Sequence, residues 1–376
     1  MTSSTRDNLN EFIKAAEEGN LAQITSLIKD QGINVNGKNE YGETALIYAS
    51  EKGHLDIVKY LVDNGADVNE KGHQLQTVLM YASYNDHIDI VKYLVDKGAK
   101  LDEKDRYGKS ALMLAVRGGH LDIVKYLVQR GADVNQKDND GDDALINAVI
   151  NDHLEIVQFL VNNGARVEHT NEDGQSAVMF AARDGHLRIV KYLVQQGVDV
   201  NHKNNDGETA LIYASANGHL DIVKYLVEEK GVRVNEKDNS GRTALVYATS
   251  RWGNLEVVKF LVGNGATVNN RDFWGDTALL FAALNNNLDI VAYLVEKGAD
   301  VNEKNNFGKT SLMFASQEGL LHIVEYLVDK GADVSEKDTD GHTALMYAQL
   351  NHCTNVVRFL NRTILMRTLF FCFALL

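Results

Sequence analysis

The stretch from Asn39 to Lys71, 33 residues long, recurs with edits almost throughout the chain. Its turn glycine, Gly42, returns at Gly108, Gly141, Gly174 and Gly207, each a multiple of 33 residues on. After one-residue insertions it returns as Gly241 and Gly275, then at the original spacing as Gly308 and Gly341. A fixed period of this length marks a stacked-repeat protein, whose copies bury their apolar faces only against one another. A length of 376 residues would otherwise suggest two or three domains. The repeat overrides that expectation, because a stack grows in one dimension without separate cores.

Each repeat reads as a finger-like turn followed by two helices. The first helix starts at Thr44, Thr77, Ser110, Asp143, Ser176, Thr209, Thr243, Thr277, Thr310 or Thr343. Each of these side chains carries an oxygen that can accept from the orphan N–H groups of a first helical turn. The second helix is LDIVKYLV in the 39–71 copy, with Leu55, Val58, Leu61 and Val62 at helical spacing on one face. It ends at Asn64-Gly65, where glycine admits the left-handed conformation. ADVNEK then leads into the next finger.

The runs TALIYA, TALVYA and TALMYA, followed by GHLDIVKYLV and GADVN, resemble the ankyrin repeat over about residues 9–360. The resemblance implies an all-α solenoid of paired antiparallel helices with hairpin-like fingers. We expect an N-terminal extension and capping repeat (1–38) and nine full repeats (39–337). A partial tenth (338–362) and an apolar tail (363–376) follow. Two repeats, 204–237 and 238–271, have 34 residues. Their extra residues, near Glu229 to Gly231 and at Trp252, are expected in loops. The chain departs from the family signature in two ways. It has no proline, where composition alone predicts about nineteen. The signature histidine that ties neighbouring repeats together is replaced by an apolar residue, as at Met80, Met113 and Met179, so apolar packing should serve instead. In the 72–104 copy Leu75 takes the turn-glycine position, which predicts a distorted or mobile finger. His352 replaces the inter-helix glycine of the last copy and Asn355 enters an apolar position, so packing should loosen there.

Composition excludes several functions. A net charge of −14 lacks the basic stripe that nucleic-acid binding needs. Two cysteines, Cys353 and Cys372, give neither a disulfide framework nor a zinc site, and a reducing, cytoplasmic setting is expected. No apolar stretch is long enough for a spanning helix. His54, His87, His120, His153, His186 and His219 recur between the helices. Helices packed about 8–10 Å apart cannot bring them within the ~2 Å reach of one zinc ion. They read as loop histidines that satisfy backbone groups. The acidic run Asp138 to Asp143 fails the calcium-loop pattern, since positions one and twelve fall on Gln136 and Asn147. No phosphate, dinucleotide or hydrolase motif occurs, so no catalytic residue and no cofactor are assigned.

Two features stand out from the repeat pattern. The first is an aromatic series on the first helices: Tyr48, Tyr81, Phe180, Tyr213, Tyr247, Phe281, Phe314 and Tyr347. In the family, the neighbouring positions on that helix face a concave groove, which here would be flanked by Arg117, Arg183, Asp184 and Arg251. The alternative is that the rings fill space between repeats. The second is an acidic run of fingers carrying Asp138, Asp140, Asp142, Asp143, Glu172, Asp173, Asp206 and Glu208, with aromatic Phe273, Trp274 and Phe307 in later fingers. Ordinary solvated loops would look the same. The resemblance implies a non-catalytic scaffold that binds a protein segment through its concave face; the acidic fingers add the expectation that the segment has basic character, and a monomer is expected. The tail, TILMRTLFFCFALL, could instead cap the last repeat, attach the chain to a membrane surface, or be an accident of the reading frame.

Overall fold

The computed structural model describes residues 3–249 and 253–374, with side chains over 7–249 and 253–367. Arg251 and Trp252 lie outside the described residues, so the loop expected at Trp252 and the groove position expected for Arg251 cannot be placed. The chain forms two compact bodies. One is the chain up to Ala177 with Lys191–Val198; the other is Val178–Val190 with the chain from Asp199 onward.

The described residues are helical, in short pairs, and form no extended strand. In the first body, helices Ser3–Glu17, Ala45–Lys52, Val78–Tyr84, Ala111–Gly118 and Ala144–Ile150 stack in file. Behind them stack Leu21–Gln31, Leu55–Asp63, Ile88–Asp96, Leu121–Gln129 and Leu154–Asn162. The second body repeats this with Ala210–Ala216, Ala244–Ala248, Ala278–Leu284, Ser311–Gln317 and Ala344–Leu350 in one file.

Eight of the expected caps form. The hydroxyls of Thr44, Thr77, Ser110, Thr209, Thr277, Thr310 and Thr343 and the carboxylate of Asp143 each accept the N–H three residues on. Thr243 makes no such bond, and Ser176 Oγ is buried without a partner. In the second helices the fully buried side chains are Ile57, Val58 and Leu61 and their equivalents. The expected Leu55 and Val62 are only half-buried. The core face is therefore centred on the Ile57–Val58–Leu61 edge, and Leu55 and Val62 flank it.

The extra residue near Glu229 does not fall in a loop. It is absorbed inside the helix as a π turn over Tyr225–Glu229, where a wider i→i+5 turn takes up one residue without breaking the helix. The 72–104 finger is distorted as expected. Gln74 and Leu75 both take left-handed φ, 58° and 63°, in a short 3-10 turn. The final repeat packs thinly. Met346 and Leu350 are exposed where their counterparts Leu280 and Leu284 are not. The helix that starts at Thr354 runs unbroken through position 363 to Ala374. Leu365 and Met366 are exposed on it, and the Arg367 guanidinium lies 3.4 Å from the Ala332 carbonyl. No helix among the described residues is long and apolar enough to cross a membrane.

Hydrogen bonds do link neighbouring repeats, against the expectation that apolar packing alone would serve. Met80, Met113 and Met179 are buried as expected. The inter-helix histidines supply the missing bonds: His54, His87, His120 and His219 point Nε2 at the carbonyls of Glu17, Glu51, Tyr84 and Arg183, 2.8–3.0 Å away in the preceding repeat. Cys353 stands at the same place and points Sγ at the Gln317 carbonyl. The ring of His87 packs on Gly53, whose φ is +84°; a Cβ there would lie 2.6 Å from it. A second link runs through the asparagines of ADVN. Asn69 Nδ2 donates to the Gly98 carbonyl while its Oδ1 accepts from Lys100 N–H, and Asn36, Asn135, Asn235, Asn269 and Asn302 do the same to the repeat that follows each.

Thr310→Ala should lower hydrogen-exchange protection of its repeat by roughly 1 kcal/mol, whereas Thr243→Ala should change its own by less than half as much. Equal losses would refute the assignment of caps. Gly53→Ala combines a left-handed φ with the His87 contact and should cost more than about 1 kcal/mol, read as lost protection in both repeats that meet there.

Candidate partner-binding surface

The fingers present the exposed side chains, and an asparagine or aspartate holds every finger but the one at Gly72 in shape. Asn39 Oδ1 accepts from the N–H groups of Tyr41 (3.0 Å) and Glu43 (2.9 Å). Asp105, Asp138, Asn171, Asn204, Asp238, Asp272, Asn305 and Asp338 make the same pair of bonds, to the residues two and four ahead. Gly72 has no side chain for this, which explains the distorted finger that follows it. Fingers also join backbone to backbone. In each body the carbonyl at a tip accepts an N–H of the next finger, as Tyr107 does from Asn139 and Trp274 from Asn306.

This clamp fixes what the tips expose. Tyr41 is 65% exposed and Phe273 68%; Tyr107, Trp274 and Phe307 are also exposed. Tyr41 and Tyr107 were missed in the sequence, although each stands two residues after a clamp residue, at the position of Trp274 and Phe307. Asp140, Asp173 and Asp206 are exposed as expected. Asp140 and Asp173 belong to the first body and Asp206 to the second. Asp138 and Asp143 are buried and are not surface charges. Asp138 clamps its finger, while Asp143 caps its helix and holds His169 Nδ1 at 2.8 Å.

The aromatic series lies at the foot of the fingers. Tyr48, Tyr81, Tyr213, Tyr247, Phe281 and Phe314 are half-buried, and Phe180 is buried. The tyrosine hydroxyls are held by finger carboxylates. Tyr81 donates to Glu43 Oε1 of the preceding repeat (3.2 Å), Tyr213 to Glu208 (2.7 Å), and Tyr247 to Asp238 (2.7 Å) and Glu208 (3.2 Å). Burial, followed by the hydrogen bond and charge of Glu43, pushes the Tyr48 phenol up to about 12. Burial and nearby carboxylates likewise raise Tyr81 and Tyr247. These rings tie finger to helix and repeat to repeat, the role that the space-filling reading gives them, and keep one edge wet.

In the first body, Tyr81, Tyr84, Leu114 and Arg117 line a hollow of about 290 Å3. In the second, Trp274, Phe307 and Phe314 line one of about 480 Å3. Arg183 lies 4.8 Å from the Phe180 ring and is paired with Asp184 at 2.8 Å. Asp338, Asp340 and His342 bring ligand atoms within 4.8 Å of one another. The finger's own bonds engage Asp338, which accepts two backbone N–H groups and the Tyr347 hydroxyl.

Six overlapping stretches, residues 3–72, 70–138, 135–204, 178–272, 231–305 and 279–364, match the family model of ankyrin repeats in three copies. The chain belongs to the ankyrin-repeat family. Ankyrin repeats are in general protein–protein interaction modules, and the family is typically non-enzymatic.

Asp142, half-buried in the acidic fingers, has its pKa raised to about 6 by burial first and then by Asp138, with Asn171 pulling the other way. Its Oδ1 is buried without a partner. A carboxyl that holds its proton more tightly when folded destabilises the fold as pH rises from about 4 to about 6, and the loss persists above that. Asp142→Asn should therefore raise the melting temperature at pH 7 and bring little or no gain at pH 4. The same gain at both values would show that the charge is not responsible.

Proposed function

We propose that this ankyrin-repeat chain is a non-catalytic scaffold that captures an extended or helical segment of another polypeptide on its finger tips and the first-helix faces beside them. The observation that carries the reading is the set of exposed aromatic tips on clamped turns. Tyr41, Tyr107, Phe273 and Phe307 contribute nothing to a core, yet each is held out by two side-chain-to-backbone bonds within its own finger. Aromatic side chains are enriched at binding hot spots, and a surface already ordered loses little entropy on association. The chain's net charge of −14 and the exposed Asp140, Asp173 and Asp206 favour a segment of basic character. Such charges act mainly on the rate of encounter.

The test uses surface-immobilised intact chain and synthetic peptides of matched length, lysine- and arginine-rich against glutamate-rich. The basic peptides should associate faster, and the advantage should shrink as salt rises. Asp140→Asn, Asp173→Asn and Asp206→Asn combined should slow association severalfold and flatten its salt dependence, with dissociation little changed. An on-rate untouched by the triple variant would remove the acidic fingers from the proposal. Tyr41→Ser with Tyr107→Ser should speed dissociation instead, and no change in that rate would remove those tips.

A further inference from the structure

At several fingers the residue after the turn glycine reaches toward the repeat that follows and meets a matching group there. Glu43 and Glu208 accept from the tyrosine hydroxyls of Tyr81 and Tyr247. Lys109 Nζ lies 3.3 Å from the Asp138 carboxylate. Arg242 makes the fullest set of contacts. Its Nε donates to Asp272 Oδ2 at 3.1 Å, and its guanidinium lies 5.1 Å from the Trp274 ring and 4.9 Å from the Phe281 ring. An arginine thus fills the slot between the 238–242 and 272–276 fingers, set against two aromatic rings and a carboxylate.

One repeat on, the equivalent residue is Asp276. The rings in the matching positions are Phe307, in place of Trp274, and Phe314, in place of Phe281. Phe314 has no hydroxyl to donate, so the acid-to-tyrosine match fails here. Asp276 Oδ1 accepts from Asn305 Nδ2 at 2.8 Å. Burial is the main cause of its raised pKa, and Asn305, Arg242 and Arg271 pull the other way without cancelling it. The slot that Arg242 fills one repeat earlier is open here, a hollow of about 480 Å3 bordered by Trp274, Asp276, Phe307, Phe314 and Asp340. Lys309 borders it too, but its ammonium sits closer to Tyr347, at 4.6 Å, than to Phe314, at 5.5 Å.

We infer that this hollow receives an arginine side chain of the bound polypeptide, its guanidinium against Phe307 and Phe314 and its charge met by Asp276. The partner completes the slot that Arg242 completes from within the chain. Aromatic faces attract a guanidinium through their quadrupole, and an adjoining carboxylate adds a charge-assisted hydrogen bond. The inference rests on the scaffold reading above and gives one part of that surface a specific occupant.

The experiment titrates the full chain, labelled with 5-fluorotryptophan, with N-acetyl-arginine methylamide, and follows the Trp274 fluorine resonance, assigned with Trp252→Phe. The resonance should move saturably with the arginine amide and not with the neutral citrulline analogue. Asp276→Asn should weaken binding about tenfold. Asp276→Arg, which supplies the internal cation of the preceding repeat, should abolish the shift, with the melting temperature kept as a check on folding. Equal shifts from the citrulline analogue, or undiminished binding by a folded Asp276→Arg chain, would overturn the inference. The two readings fail separately. If Trp274 ignores arginine amide while peptide on-rates still respond to the acidic tips, only the arginine slot falls. If Trp274 responds but no peptide is captured, the scaffold reading falls.

Discussion

The structure depends on hydrogen bonds handed from one repeat to the next. Helices of seven to nine residues are too short to persist in water on propensity alone. Each pair is stable because its neighbours bury Ile57, Val58, Leu61 and their counterparts. Apolar burial is non-directional, however, and would tolerate sliding between repeats. The histidine ring on a preceding carbonyl and the asparagine that both donates to and accepts from the following repeat remove that freedom. Both are bonds between chemically specific partners one repeat apart, so they fix the step of the stack within each body.

The finger clamp extends the same logic to the surface. A carboxylate or amide oxygen that accepts two N–H groups sets the turn, and the turn glycine at positive φ, such as Gly42 at 81°, lets the chain reverse. The tip residue then has its backbone fixed while its side chain is free of structural duty. That division explains why the tips vary from Tyr41 to Asp140 to Trp274 while the clamp stays Asn or Asp. It also explains why the one finger lacking a clamp residue puts Gln74 and Leu75 into the left-handed region instead.

Much of this was legible in the sequence. Period, turn glycines and capping oxygens are local signals, and each maps to one turn of backbone. The inter-helix histidines were read correctly as backbone partners for the same reason, since the position recurs and metal geometry excludes the alternative. The clamp residues and the asparagine ladder were hidden. Asn and Asp are common in any loop, and their roles depend on which carbonyl or N–H lies opposite after folding. The extra residue near Glu229 was misplaced because insertions are cheapest in loops, and a sequence does not show that a helix can widen to a π turn instead. Asp138 and Asp143 were counted among the finger charges, whereas Asp138 is taken up by the N–H groups of its own finger and Asp143 by the first turn of its helix.

The residue after the turn glycine shows how one position can serve both stability and recognition. At Glu43, Lys109, Glu208 and Arg242 it projects toward the following repeat and its charge is answered there. Tyrosine answers glutamate, a carboxylate answers lysine, and a carboxylate with two rings answers arginine. Where the answer is supplied within the chain the slot is closed and the bond adds to the coupling between repeats. At Asp276 the facing ring is phenylalanine, the Asn305 amide donates one hydrogen bond, and the charges of Arg242 and Arg271 offset burial only in part. A half-buried carboxylate in that setting carries a desolvation cost that the fold does not fully offset. At that position an external cation would meet rings and an acid already held in place before it arrives.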